Sequence, residues 1–87
     1  MYSIILPTYR NPEYLKLCVD SILENSYYKT HQICVHINGY DQESIDYLTK
    51  LNNKNITYTI SQDNIGLSKA TNICIKNAIY DKVLPAA

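Results

Sequence analysis

The residues best suited to chemistry fall into two short stretches. In Pro7-Thr8-Tyr9-Arg10-Asn11 a proline turns the chain, Thr8 offers a hydroxyl, Tyr9 a ring face on which a base can stack, and Arg10 a fixed charge. In Asn38-Gly39 the amide can donate to and accept from a base edge, while the glycine allows a tight turn that brings the backbone near a ligand. The two stretches together suit a nucleotide better than either does alone. Lys69 adds a cation shortly after Gly66; a lysine at a helix start opposes the helix dipole, which favours an anion beside it. Each residue also has a plainer use: Thr8 and Tyr9 as turn packing, Arg10 as a solvated charge, Asn38-Gly39 as a turn dipeptide in its own right.

Other reactive side chains carry less. Neither G-x-G-x-x-G nor G-x-x-x-x-G-K-[ST] occurs, so the common dinucleotide and phosphate cradles are excluded. His31 and His36 have no His, Cys or Asp cluster at ligand spacing and read as structural. Cys18, Cys34 and Cys74 are odd in number and include no Cys-x-x-Cys pair, which disfavours a disulfide framework or metal clip and makes them reduced core residues.

The elements that must position these groups follow from the apolar pattern. Residues 2–6 are a short β-branched run stopped by Pro7, as in a strand covered on both faces. Asn11-Pro12-Glu13 supplies a side-chain cap, a proline at the first helical position and an acid in the first turn. Behind it Leu15, Cys18, Val19, Ile22 and Leu23 form one stripe, predicting a helix to about Ser26. Residues 31–37 predict a second strand, 41–51 a short helix, and 56–60, alternating apolar and hydroxyl side chains, a half-buried edge strand. After a polar loop, Leu67, Ala70, Ile73, Cys74 and Ala78 predict a third helix ending near Ile79, and residues 82–84 open a fourth strand. The order βαβαβαβ predicts an α/β fold with a parallel sheet and helices on both faces. Ligands of such sheets bind outside the carboxyl ends of the strands, where strand order reverses. Both stretches singled out above lie at such ends.

Composition bounds the rest. Eighty-seven residues make a single domain over residues 1–87, and a core that buries only about 60–65% of the unfolded surface. Eight basic residues balance eight acidic ones and are scattered singly, which argues against nucleic acid or an anionic membrane as partner. No apolar run approaches the roughly 20 residues that span a bilayer, and nothing basic precedes the first apolar stretch as in a secretory signal, so a cytoplasmic location is expected. All nine aromatic residues are tyrosines.

Three blocks then match a known family. Ser3-Ile4-Ile5-Leu6-Pro7-Thr8-Tyr9-Arg10-Asn11 with Tyr14-Leu15 and the run from Cys18 to Leu23 resembles the opening of family 2 glycosyltransferases. Tyr27-Tyr28-Lys29 and the strand end Ile33-Cys34-Val35-His36-Ile37-Asn38-Gly39 resemble the family's next segments. Asn64-Ile65-Gly66-Leu67-Ser68-Lys69-Ala70-Thr71-Asn72 resembles its N-x-G-x-[AS]-x-A-R-N run. The resemblance implies the Rossmann-like half of a GT-A fold that binds a nucleotide-diphospho-sugar, a UDP-sugar, for transfer to a hydroxyl acceptor. It implies that Thr8 and Tyr9 contact uracil and ribose, that Pro7 shapes their loop, and that Asn38 meets the base edge. Thr71 stands where a basic residue is frequent, with Lys69 near enough to face phosphates.

The family places an acidic pair at the end of the fourth strand, holding Mn²⁺ or Mg²⁺ against the diphosphate. Here Lys82-Val83-Leu84 leads into Pro85-Ala86-Ala87 with no acid. The expectation is therefore a truncated nucleotide-sugar-binding domain, with no cofactor held within the chain, that does not catalyse transfer alone. The competing expectation is a non-catalytic remnant or interaction module that completes its sheet as a homo-oligomer through an exposed edge.

Overall fold

The computed structural model describes residues 1–25 and 31–86. In chain order the elements are β1 (Tyr2–Thr8), α1 (Pro12–Glu24), β2 (Gln32–Asn38), α2 (Gln42–Leu51), β3 (Ile56–Ser61), α3 (Leu67–Lys76) and β4 (Lys82–Pro85). All strands are parallel in the order β3-β2-β1-β4. This is the α/β, βαβαβαβ architecture that the sequence predicts.

The sheet has an apolar face and a mixed one. β2 is buried along its whole length, and its side chains alternate. Ile33, Val35 and Ile37 join Leu6, Leu15, Val19 and Leu48 in the larger cluster beneath α1 and α2. Ile5 and Cys34 point the other way and pack with Cys74 of α3 and with Ala78. That second face also carries Gln32, His36 and Asn38, all buried. A buried polar group is costly unless paired, and the pairing of these three shapes the rest of the molecule.

Several boundaries differ from the sequence reading, for identifiable reasons. β1 runs through Pro7 to Thr8 instead of stopping at Leu6. β4 pairs only with residues 2–5 of β1, so at Pro7 the strand has a neighbour on one side alone, where a missing N–H is tolerated. α1 starts as predicted, the Asn11 side chain accepting from the Tyr14 amide at 3.1 Å, and ends at Glu24. Ser26 and the Tyr27-Tyr28-Lys29 segment lie outside the described residues. α3 stops at Lys76, three residues short of Ile79. Buried Gln32 takes over there: its Nε2 donates to the Asn77 carbonyl at 3.1 Å, and its Oε1 accepts from the Ile79 amide at 2.8 Å and from Ser3 Oγ at 2.6 Å. These bonds pull the chain off the helix axis and into β4.

Cys34 and Cys74 are buried, whereas Cys18 is only partly so, at the margin of the larger cluster. Burial raises the Cys34 thiol pKa against a lowering hydrogen bond from Thr57, and pushes that of Cys74 up to about 11. Both thiols are thus protonated core groups. Lys16 pairs with Glu43 at 3.1 Å, and the Tyr47 hydroxyl donates to Asp20 at 2.6 Å, bracing α1 against α2. Among the described residues no helix is long and apolar enough to cross a membrane.

Candidate functional site

Sheet order reverses between β1 and β4, but the cavity at the strand ends sits one strand over, beside β1 and β2 on the α3 side. It encloses about 200 Å³ and is lined by Pro7, Thr8, Tyr9, Asn38, Asn64, Gly66 and Leu67. The structure therefore gathers four of the seven sequence-derived residues into one hollow. Gly39 and Arg10 lie at its margin, and Lys69 stands exposed in the first turn of α3, outside the lining.

Thr8 is the informative group. As the last residue of β1 it is only 4% exposed, and its Oγ1 has no hydrogen-bond partner among the described residues. Hydroxyls buried in this way are normally satisfied. Beside it Tyr9 is 52% exposed, with the Arg10 guanidinium over its ring at 5.7 Å. Arg10 itself has φ 44°, a left-handed conformation unusual for a non-glycine residue, which turns the chain back toward α1.

Gly39 is required by two independent constraints. Its φ is 93°, and a Cβ there would lie 3.3 Å from Tyr9 Cε1 and 3.4 Å from Arg10 Nε. The Tyr9 side chain thus leans directly on the second loop. Gly66, at φ 89°, needs glycine for its backbone only, since a Cβ would meet nothing within 4 Å. It precedes α3, whose first turn no side chain caps, and uncapped amides at a helix start suit an anion.

Asn38 does not stand open to a ligand in the way its resemblance-based role implies. Its Oδ1 accepts from the Ile65 amide at 2.8 Å and lies 3.3 Å from Ser61 Oγ, whose one proton has a nearer acceptor in the Asp63 carbonyl at 2.8 Å, and its Nδ2 donates to Asn64 Oδ1 at 2.8 Å. Asn64 Oδ1 in turn accepts from the Gly66 amide at 2.9 Å. The side chain spends most of its capacity holding the 61–66 loop, and one Nδ2 hydrogen is left for anything else. Asn64 has no role in the sequence reading beyond its place in the Asn-x-Gly run ahead of α3, which is the signal that marks it.

His31 and His36 are structural, as expected. His31 Nδ1 accepts from the Tyr2 amide at 2.9 Å, and its ring stacks edge-on to Tyr2. His36 is 1% exposed and lies between two hydroxyls, Thr59 Oγ1 at 2.7 Å and Ser61 Oγ at 3.1 Å. Burial lowers its pKa from the ordinary value of 6.5, so it is neutral at pH 7.

Among the described residues no three His, Cys, Asp or Glu side chains gather as a metal ligand set, and neither Pro85, which ends β4, nor Ala86 presents a carboxylate. A hard cation needs such oxygens, so the described residues do not fit one.

Comparison with curated proteins finds no match. The family model described as glycosyl transferase family 2 matches residues 3–84, nearly the whole chain. With a four-stranded parallel sheet consistent with the Rossmann-like half of a GT-A fold, the chain belongs to glycosyl transferase family 2.

Proposed function

We propose that the strand-end cavity binds the nucleotide of a nucleotide-diphospho-sugar, a UDP-sugar, and that the chain supplies the donor-binding part of a glycosyl transfer to a hydroxyl acceptor. The observation that carries this reading is the hollow outside β1 and β2, in which Pro7, Thr8 and the half-exposed Tyr9 ring meet Asn38, Asn64 and Gly66. A base stacks on the Tyr9 face, over the chain turn that Pro7 and Thr8 form. The uncapped first turn of α3 behind Gly66 then takes diphosphate oxygens, with Arg10 and Lys69 as mobile cations around them. Asn38 and Gly39 act mainly as scaffold, fixing the 61–66 loop and the Tyr9 ring. These residues bind and orient a donor; activation of an acceptor hydroxyl and stabilisation of the leaving diphosphate are not assigned to any of them.

The test is calorimetric titration of the chain with UDP, beside a Thr8→Ala, Tyr9→Ala double variant of matched thermal stability. Binding by the parent and at least about tenfold weaker binding by the variant is the expected result, from the lost stacking contact and the loosened first loop. Equal heats from both proteins would sink the reading.

A further inference from the structure

We propose that His36 is a positioning residue for the nucleotide cavity, acting through Ser61 to fix the loop that forms the wall opposite Thr8 and Tyr9. The inference rests on the nucleotide-binding reading above for its consequence, but its structural part stands separately. β2 and β3 bring His36, Thr59 and Ser61 to the α3 face of the sheet, where the period of two repeats on both strands. Ser61 Oγ has one proton, and its nearest acceptor is the Asp63 carbonyl at 2.8 Å. The same oxygen lies 3.1 Å from His36 Nε2 and accepts from the Gly39 amide at 3.3 Å. With its proton committed, Ser61 accepts from His36, so Nε2 carries the hydrogen and Nδ1 accepts from the Thr59 hydroxyl.

The direction of these bonds gives the ring its task. A donor at Nε2 turns the Ser61 proton toward Asp63, which starts the 61–66 loop at the correct angle. The Gly39 and Tyr40 amides meet the Ser61 and Gln62 carbonyls at 3.2 and 3.1 Å, tying the two loops together. Asn38 then gathers Ser61, Asn64 and Ile65 around one amide. Asn64 and Gly66, at the end of this chain of contacts, line the cavity facing Thr8. His36 does not itself line the cavity, although its strand position pairs with Pro7 of the lining, and its ring sits at the root of the loop that builds one side of it.

Two substitutions separate the donor from the acceptor half of the ring. In His36→Gln the amide nitrogen lies as many bonds from Cα as Nε2 does, which preserves donation to Ser61 and loses the Thr59 contact. In His36→Asn the polar atoms lie at the Nδ1 position, which preserves the Thr59 contact and loses Ser61. Amide hydrogen exchange of the ligand-free chain should accelerate at Gly39 and Ile65 by about five- to tenfold in His36→Asn, the equivalent of one hydrogen bond, and stay within about twofold of the parent in His36→Gln. UDP affinity should follow the same split. Ser61→Ala, which removes the relay with little change of volume, should match His36→Asn. If both His36 variants accelerate exchange equally, or neither does, the positioning role is overturned whatever UDP does. If exchange splits as stated while the parent protein gives no heat with UDP, the role in the loop stands and the nucleotide reading falls.

Discussion

Thr8 offers the sharpest prediction, because its buried hydroxyl is a cost to the folded protein that no partner among the described residues offsets. In Thr8→Val a methyl replaces Oγ1 on the same β-branched frame, so the strand conformation and the shape of the buried side chain are retained. A buried hydroxyl without a partner costs about 1–3 kcal/mol relative to a satisfied or apolar group. Thr8 is 4% exposed and its Oγ1 is unpaired among the described residues, but it is the last residue of β1, where the chain can adjust, so the lower end of that range applies. A gain of about 1 kcal/mol in a chain of 87 residues corresponds to a rise in Tm of about 4–8 °C. Thr8 shares the α1 and α2 face of the sheet with Leu6 and Ile37, so the same substitution should leave UDP affinity within about twofold. Calorimetric melting and UDP titration on one preparation read both quantities. A lower Tm would mean that the hydroxyl is already satisfied in the free protein, and a loss of UDP affinity of about tenfold would mean that the hydroxyl reaches the ligand.

The remaining predictions address the backbone and pH. Gly39→Ala should cost about 1–2 kcal/mol, since it adds a contact against Tyr9 Cε1 at 3.3 Å to the strain of a positive φ, whereas Gly66→Ala should cost about 1 kcal/mol from φ alone; chemical denaturation with unchanged m-values measures the difference, and equal losses would show that the Tyr9 contact yields freely. Stability should decline as pH falls below about 6.5: burial depresses the pKa of His36 in the folded state, so between that pKa and the unfolded value the unfolded chain binds the extra proton and gains from acid. Above pH 6.5 the contribution is fully present. His36→Gln should remove this part of the slope, and melts of the two proteins from pH 7.5 to 5 that run parallel would refute the assignment.

Much of the scaffold is legible in the sequence because each element states its own period. Asn11-Pro12-Glu13 caps α1 as written, and Leu15 and Val19 are fully buried on its stripe. The errors arise where tertiary pairing overrides local signals. Pro7 looks like a stop, yet continues β1 because β4 is too short to need its amide. The stripe through Ala78 suggests a longer α3, yet Gln32, forty-five residues earlier, takes the Asn77 carbonyl and ends it. A long-range hydrogen bond of this kind leaves no local trace. The site divides in the same way: Thr8 and Tyr9 suggest a task by type alone and both line the hollow, whereas no local signal shows that the Asn38 amide also holds Asn64 and Ile65.

The two faces of the sheet explain this division. On the α1 and α2 side the inward positions of β1 and β2 are aliphatic and tolerate exchange among shapes that fill the same volume. On the α3 side Ser3, Gln32, His36, Asn38 and Ser61 are joined to partners far away in sequence, and each bond fixes a loop at one end of the strands. Ser3 and Gln32 fix the approach to β4 at the amino ends of the strands, and His36, Ser61 and Asn38 fix the cavity wall at the carboxyl ends. A small core leaves little apolar area to hold loops in place, so directional bonds do that work instead. Substitutions on this polar face should therefore shift loop exchange and ligand affinity out of proportion to their effect on global stability, whereas aliphatic substitutions under α1 should change stability first.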